Sequence, residues 1–431
     1  MKKIALFLAF ICFAGQVNAA QVRLDLEDAV EKILSESHDI KKAEFNIRKM
    51  QAVLDSTHAR RLPKIDASGM YMNNINVKNP GEPVIISIPQ MGGAPIEMPD
   101  NIGLVSVEAS MPIYTFGKLG FGIDAARSAV KIAKSSAELA RREMRVAAVQ
   151  IYFGAKMSDH IYSVMEKSLE NTRKNQRALN AGGGRANKAN LLKISTDLAV
   201  KEAQLGDAKF NRDAAYRMFR IMSGLDEDDK IILTTDIPSE FRKQRPQEMD
   251  NYPEWDIYQE QYNASRSSMK SKYAQWMPTI AATAQYNKFM LHTEPKVWEG
   301  QKHDAASVGL ALSLPIFDGG LARHQATQDA RDADRAMQDL DKAKKMRRGD
   351  LTEAYQKHSH LIDNMKTQTR ALDLAQRTYK MSADRFAVGQ TSAVELSDVE
   401  NSLVQLEIAL MNTKMQIAIT EETIKKLSGE K

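Results

Sequence analysis

The sequence predicts an α+β membrane protein with an internal two-fold repeat. Each of three chains lends four strands to a 12-stranded transmembrane β-barrel that continues into a long α-helical barrel. Three observations carry this expectation. Two stretches, SMPIYTFGK (110–118) and SLPIFDGG (313–320), switch from strand to helix with the same punctuation. The segments before them alternate apolar and polar residues with period two, as strands do. The segments after them run for some sixty residues without a breaker.

The chain opens with MKKIALFLAFICFAGQVNAA, two lysines followed by an apolar run and small residues, the layout of a secretory signal peptide (1–19). Val17-Asn18-Ala19 sets cleavage after Ala19, with Ala20 as the alternative. The only cysteine, Cys12, lies inside it, so the mature chain carries no thiol.

The first repeat is expected over 20–223, a linking segment over 224–252 and the second repeat over 253–431. The first repeat starts with a helix over 25–60, where Ala29, Ile33, Ile40, Ala43 and Ile47 recur at three- and four-residue spacing. Strands are expected at 62–75 and 103–113, with a connection rich in Pro, Gly, Asn and Met between them. RLPKIDASGMYMNN (61–74) parallels WMPTIAATAQYNKF (276–289), which marks the matching strand at 277–289; the fourth is at 305–315. In 307–314, Val308, Leu310, Leu312 and Leu314 oppose Ser307, Gly309, Ala311 and Ser313. In 105–111, Val105, Val107, Ala109 and Met111 oppose Ser106, Glu108 and Ser110. Such faces suit either a sheet lying on a core or a barrel facing lipid. No element is left over to cover the apolar faces, which favours the barrel.

After each Pro-aromatic-Gly segment (Pro112, Phe116 and Gly117; Pro315, Phe317, Gly319 and Gly320) a helix rich in Ala, Lys, Glu, Arg and Leu begins. Proline is expected to end the ladder and glycine to permit the bend. The helix over 119–180 would extend about 93 Å, too long for the core of a compact globule, and its frequent alanines allow neighbouring helices to approach closely. A helix over 321–386 matches it. Glycine turns close both hairpins: GRANKANLLKISTDLAVKEAQL (184–205) parallels GQTSAVELSDVENSLVQLEIAL (389–410).

Four strands cannot close a barrel, and an open edge in lipid leaves unpaired backbone groups, so several chains must pool their strands; three give twelve. The formal charge of +5 falls to +3 once Lys2 and Lys3 leave with the leader. No Lys/Arg block with interleaved aromatics points to nucleic acid, and no metal, nucleotide or nucleophile motif appears. No enzyme activity and no cofactor are expected.

LDLEDAVEKILSESHDIKKAEFNIRKMQAVLDSTHARRLPKI (24–65), the paired SMPIYTFGK and SLPIFDGG, and RFAVGQTSAVELSDVENSLVQLE (385–407) together resemble the outer-membrane efflux protein family, the TolC-like channels. The resemblance covers about 22–428. It implies a homotrimer in outer-membrane lipid with a large periplasmic portion. It also implies an exit duct for efflux pumps or type I secretion, partnered by a periplasmic adaptor and an inner-membrane transporter. The competing reading is a secreted coiled-coil scaffold or periplasmic adaptor with a soluble β domain; two long hairpins and two matching strand pairs favour the duct.

The resemblance places a periplasmic constriction at Glu395 and Asp398, i and i+3 on one helix face, with Asn190 where the family commonly has a carboxylate. Ser392-x-x-Glu395 is also a capping box, so Glu395 has a structural role open to it; Asp398 has a solvated helix face as its alternative. Phe386 and Thr391 stand where the family often has Tyr and Arg, so a closing latch built on those groups is missing. The turn tips for adaptor docking are Gly184 and Arg185 in one hairpin and Val388, Gly389, Gln390 and Thr391 in the other. Tyr71, Tyr114, Phe116, Phe289 and Phe317 are placed for an interfacial aromatic girdle, with core packing as the alternative for each.

Overall fold

The computed structural model describes residues 21–75, 82, 84–87, 95–98, 101–181, 188–244, 252–292 and 301–429. The expected leader, and the tip residues Gly184 and Arg185, lie outside them. The chain divides into two compact units, one of 1–42, 138–252 and 345–431, the other of 43–137 and 253–344.

The first unit begins with β1 (Gln21–Leu24) and α1 (Leu26–Glu36). Asp25 caps α1 by accepting from Asp28 N at 2.8 Å. The single helix expected over 25–60 is broken at Ser37, where ψ is 118°. The Ser37 hydroxyl accepts from Ile40 N at 3.4 Å and starts α2 (His38–Ala59). The linking segment contains β6 (Lys230–Leu233), which pairs in parallel with β1, Gln21 opposite Lys230. Around this pair, Ala29, Val30 and Ile33 of α1 pack with Tyr152, Phe153 and Phe219. The Tyr152 hydroxyl is buried and accepts from Thr235 N at 2.8 Å. The long helices of this unit come from α3 (Lys118–Ala181), α4 (Lys188–Ser223), α6 (Leu321–Ala387) and α7 (Ala393–Ser428).

In the second unit, β2 (Lys64–Asn73), β5 (Asn101–Tyr114), β7 (Thr279–His292) and β8 (Gln301–Ser313) form one antiparallel sheet in the order β2-β5-β7-β8. A short hairpin, β3 (Val84–Ser87) with β4 (Pro95–Met98), lies in the connection between β2 and β5. The register aligns one apolar face across all four strands. Ile65 lies opposite Ala109, Ala109 opposite Ala284, and Ala284 opposite Val308. Val107, Met111, Ala282, Leu310 and Leu312 continue that face by period two. The other face carries Ser68, Ser106, Glu108, Thr283, Gln285 and Ser307, with the Ser68 and Ser106 hydroxyls 2.7 Å apart. Most of the apolar side is open, Val308, Leu310 and Leu312 being 88, 73 and 69% exposed, whereas Met290 at the far end of β7 is buried. The outer edges of β2 and β8 have no strand partner among the described residues.

The helices of this unit are α2, the start of α3, α5 (Pro253–Tyr273) and the first half of α6. Proline suits the first position of α5, where its missing N–H costs nothing. Small side chains form the buried stripes: Ala126 and Ala133 on α3; Ala322, Ala326, Ala333 and Ala336 on α6. Of the described residues, no helix is long and apolar enough to cross a membrane.

Candidate functional site: the sheet-to-helix junction and the hairpin tip

At the first junction Pro112 does not end the ladder. β5 runs on to Tyr114, which faces Ile280, and the register shifts between Pro112 and Tyr114. A missing donor is tolerated at such a bulge, so the proline bends the strand instead of stopping it. The turn itself is made by Phe116 (φ 48°) and Gly117 (φ 87°). A Cβ on Gly117 would lie 2.8 Å from the Phe121 ring, so glycine is required for space as well as for φ. The Thr115 carbonyl accepts from Lys118 N at 3.0 Å, and Gly117 O accepts from Phe121 N at 2.8 Å, closing the first turn of α3.

The second junction is built differently. β8 ends at Ser313, before Pro315, and Gly319 (φ 69°) and Gly320 (φ 83°) make the bend. Asp318 caps α6: its carboxylate accepts from Gly320 N at 2.8 Å, Ala322 N at 2.9 Å and the Trp276 indole N–H at 3.1 Å. The Ala322 amide is the main cause holding this carboxyl below its ordinary value, with the Gly320 and Trp276 donors adding to it. Phe317 is 90% exposed and Tyr114 and Phe116 stack edge-on with centroids 4.6 Å apart. The expected aromatic girdle is corrected at Phe289. Tyr71 lies opposite Gly103, and Gly103 opposite Met290, so Phe289 occupies the opposite face from Tyr71. Period two forbids one girdle from holding both.

At the hairpin tip, α6 ends in a Schellman motif: Gln390 N donates to Arg385 O at 2.9 Å, and Gly389 N to Phe386 O at 3.0 Å, with Gly389 at φ 78°. Ser392 then caps α7, accepting from Glu395 N at 3.2 Å. The Glu395 carboxylate makes no reciprocal bond among the described residues. It is exposed, as is Asp398 one turn on. Asn190 is brought here from the other hairpin; its side-chain oxygen accepts from Ala393 N at 3.3 Å. It therefore stands at the start of α7, where Ser392 already serves as the cap. Phe386 is buried with Ile194, Ala393 and Leu396, and Thr391 is buried too. Packed side chains thus stand where the resemblance implied polar latch groups. Val388 and Gln390 are exposed.

Further along the same helices lies a group that no sequence pattern marks. Lys201 of α4 and Glu400 of α7 are 2.6 Å apart with side chains 7 and 4% exposed. Ser168 donates to Glu400 Oε1 at 3.1 Å, and Lys201 also donates to Thr172 Oγ1 at 2.8 Å. The pair joins α3 and α4 to α7. Burial first, and then the Glu400 charge, push the nearby Tyr379 phenol up to about 12. Its partners are 199 residues apart, so spacing gives no signal. A larger cleft of about 910 Å³ is lined by Glu27, Glu422, Arg145 and Lys425 among others, and at its centre Arg145 donates to Glu422 at 2.6 Å and to Glu27 at 2.9 Å.

The described chain thus combines a four-stranded sheet, largely bare on its apolar face, with two long helical hairpins that start at glycine bends. The chain belongs to the outer membrane efflux protein family, whose profile matches residues 29–217 and 258–430. It is similar to the outer membrane efflux protein BepC of Brucella suis biovar 1, at 21% identity over 167 residues, 39% of this chain and 36% of that protein. Thus the match spans about a third of that relative's length. The fold resembles that of the CmeC outer membrane channel of Campylobacter jejuni, with a TM-score of 0.76 and 18% identity over 94% of this chain and 85% of the other. It likewise resembles VceC from Vibrio cholerae, with a TM-score of 0.74 and 14% identity over 94% of this chain and 96% of the other. Family membership places the chain among outer-membrane efflux proteins.

Proposed function

We propose that three copies pool their sheets into a closed 12-stranded barrel in the outer membrane and their hairpins into a duct through the periplasm. This duct is the exit channel of a tripartite efflux pump or type I secretion system. Its hairpin tips, with Val388, Gly389 and Gln390, meet a periplasmic adaptor, and an inner-membrane transporter supplies the energy. The carrying observation is the sheet: one apolar face largely bare across four strands, and two edges with no strand partner among the described residues. In water both features promote aggregation; in a pooled barrel lipid covers the face and neighbours pair the edges. A soluble scaffold or adaptor would need something to cover the apolar face. The polar face, with its serines, Thr283 and Gln285, lines the pore.

At the tip, Glu395 and Asp398 from three chains form a ring of six carboxylates that attracts cations. The test is reconstitution of detergent-purified protein in planar bilayers. Discrete conductance steps that polyvalent cations block from the helical side support the reading. A folded monomer extracted without detergent overturns it.

A further inference from the structure

The antiparallel pairing brings the start of β2, the end of β5, the start of β7 and the end of β8 to one end of the sheet. The four segments leaving that end (58–64, 115–122, 268–278 and 314–324) hold seven lysines and arginines against one carboxylate, Asp318. Asp318 is occupied by two backbone amides and the Trp276 indole. Lys64 is paired with Asp66 at 2.8 Å. The other six cations, Arg60, Arg61, Lys118, Lys270, Lys272 and Arg323, have no ion-pair partner among the described residues, and Arg60, Arg61, Lys270 and Arg323 are exposed. The connections at the opposite end, 74–100 and 293–300, carry two lysines against five carboxylates. The sheet's bare apolar face therefore ends, on the helical side only, in a cationic rim. Beside that rim Trp276, Ile316, Phe317 and Arg323, together with the already bonded Asp318, line an open depression of about 190 Å³. Ile316 and Phe317 are 95 and 90% exposed.

We propose that this rim binds the headgroups of anionic phospholipids, enriching them in the leaflet around the helical end of the barrel. Charge complementarity selects the occupant. An exposed apolar band followed within a few residues by unpaired cations matches the depth profile of acyl chain and then phosphodiester. The proposal rests on the reading that the sheet's apolar face meets lipid.

Trp276 is half exposed at the rim and serves as the probe. The full mature chain carrying Trp255→Phe and Trp298→Phe is reconstituted in vesicles of phosphatidylcholine with one-fifth phosphatidylglycerol. Bromine near the top of the acyl chain is carried by the phosphatidylglycerol in one set and by an equal amount of phosphatidylcholine in the other. Quenching of Trp276 by the brominated anionic lipid is expected to exceed that by the zwitterionic one about two- to fivefold. The excess should vanish in Arg60→Gln/Arg61→Gln/Lys270→Gln/Lys272→Gln and, in the unsubstituted rim, at 0.5 M salt. Equal quenching by both lipids overturns this proposal and leaves the barrel reading standing. Quenching by neither overturns both.

Discussion

Breaking the buried Lys201–Glu400 pair is the most quantitative test of how the hairpins are held together. Both side chains are nearly out of water, 2.6 Å apart, and further tied by Ser168 and Thr172. Lys201→Met leaves Glu400 buried with only the Ser168 and Thr172 hydroxyls as donors, and Glu400→Leu leaves Lys201 with Thr172 alone. Stranding one buried charge costs about 3–5 kcal/mol. Replacing both with apolar residues of similar volume removes both desolvation penalties together with the attraction, and is close to neutral. Thr172 keeps its bond to Ser168 O at 3.1 Å, so the double variant strands little else. Hydrogen exchange in detergent, read on peptides from α4 and α7, reports the local opening free energy. Each single variant should lose about a hundredfold to a few thousandfold in protection there. The double variant should recover most of it, a coupling of about 3 kcal/mol or more. Additive losses, or single-variant losses below about tenfold, would refute the claim that this pair pins α3 and α4 to α7.

Gly117→Ala should cost at least about 1–2 kcal/mol from its left-handed backbone and more from the Phe121 ring, whereas Gly389→Ala, with open space around it, should cost only the backbone part. Recovery of heat-resistant oligomer in detergent should rank the two in that order, and Phe121→Leu should partly rescue the first. Ser392→Ala removes the cap of α7 and should lower local protection by about 1 kcal/mol, with Asn190 still on Ala393 N. Asp318 has a lowered carboxyl pKa, so its capping contribution is intact above the ordinary aspartate value of 3.8 and is lost as pH falls through the lower folded value. Emission of Trp276, whose indole N–H Asp318 accepts, should titrate with a midpoint below 3.8, and Asp318→Asn should abolish that transition. Asp398→Asn should weaken block by polyvalent cations in planar bilayers; unchanged block removes Asp398 from the constriction.

The features legible in the sequence were those set by local chemistry. Alternation in 105–111 and 307–314 reads directly because side chains on a strand change face at every residue. Gly389 and Ser392 read as a helix stop and start because termination and capping need those residue types. What stayed hidden was non-local. Nothing near Lys201 announces Glu400, and nothing in Asn190 announces the amide of Ala393. β1 was missed because its four residues gain their order from β6, more than two hundred positions away. The break at Ser37 is hidden by apolar periodicity that continues through it. Pro112 was misread because a proline that would end a regular ladder is accommodated at a bulge. Phe289 was misassigned because aromatic content was weighed without its parity.

The pooling of three sheets is tested most directly at the two open edges. The mature chain is expected to hold no cysteine, so Ala67→Cys on β2 can be combined with a single cysteine at Ala306, Val308 or Leu310 on β8. Oxidation of the protein in native membranes should, at one of these registers, give a covalent ladder that stops at three chains. Cross-links confined to single chains, a ladder running past three, or none at any register would contradict the closed three-chain barrel.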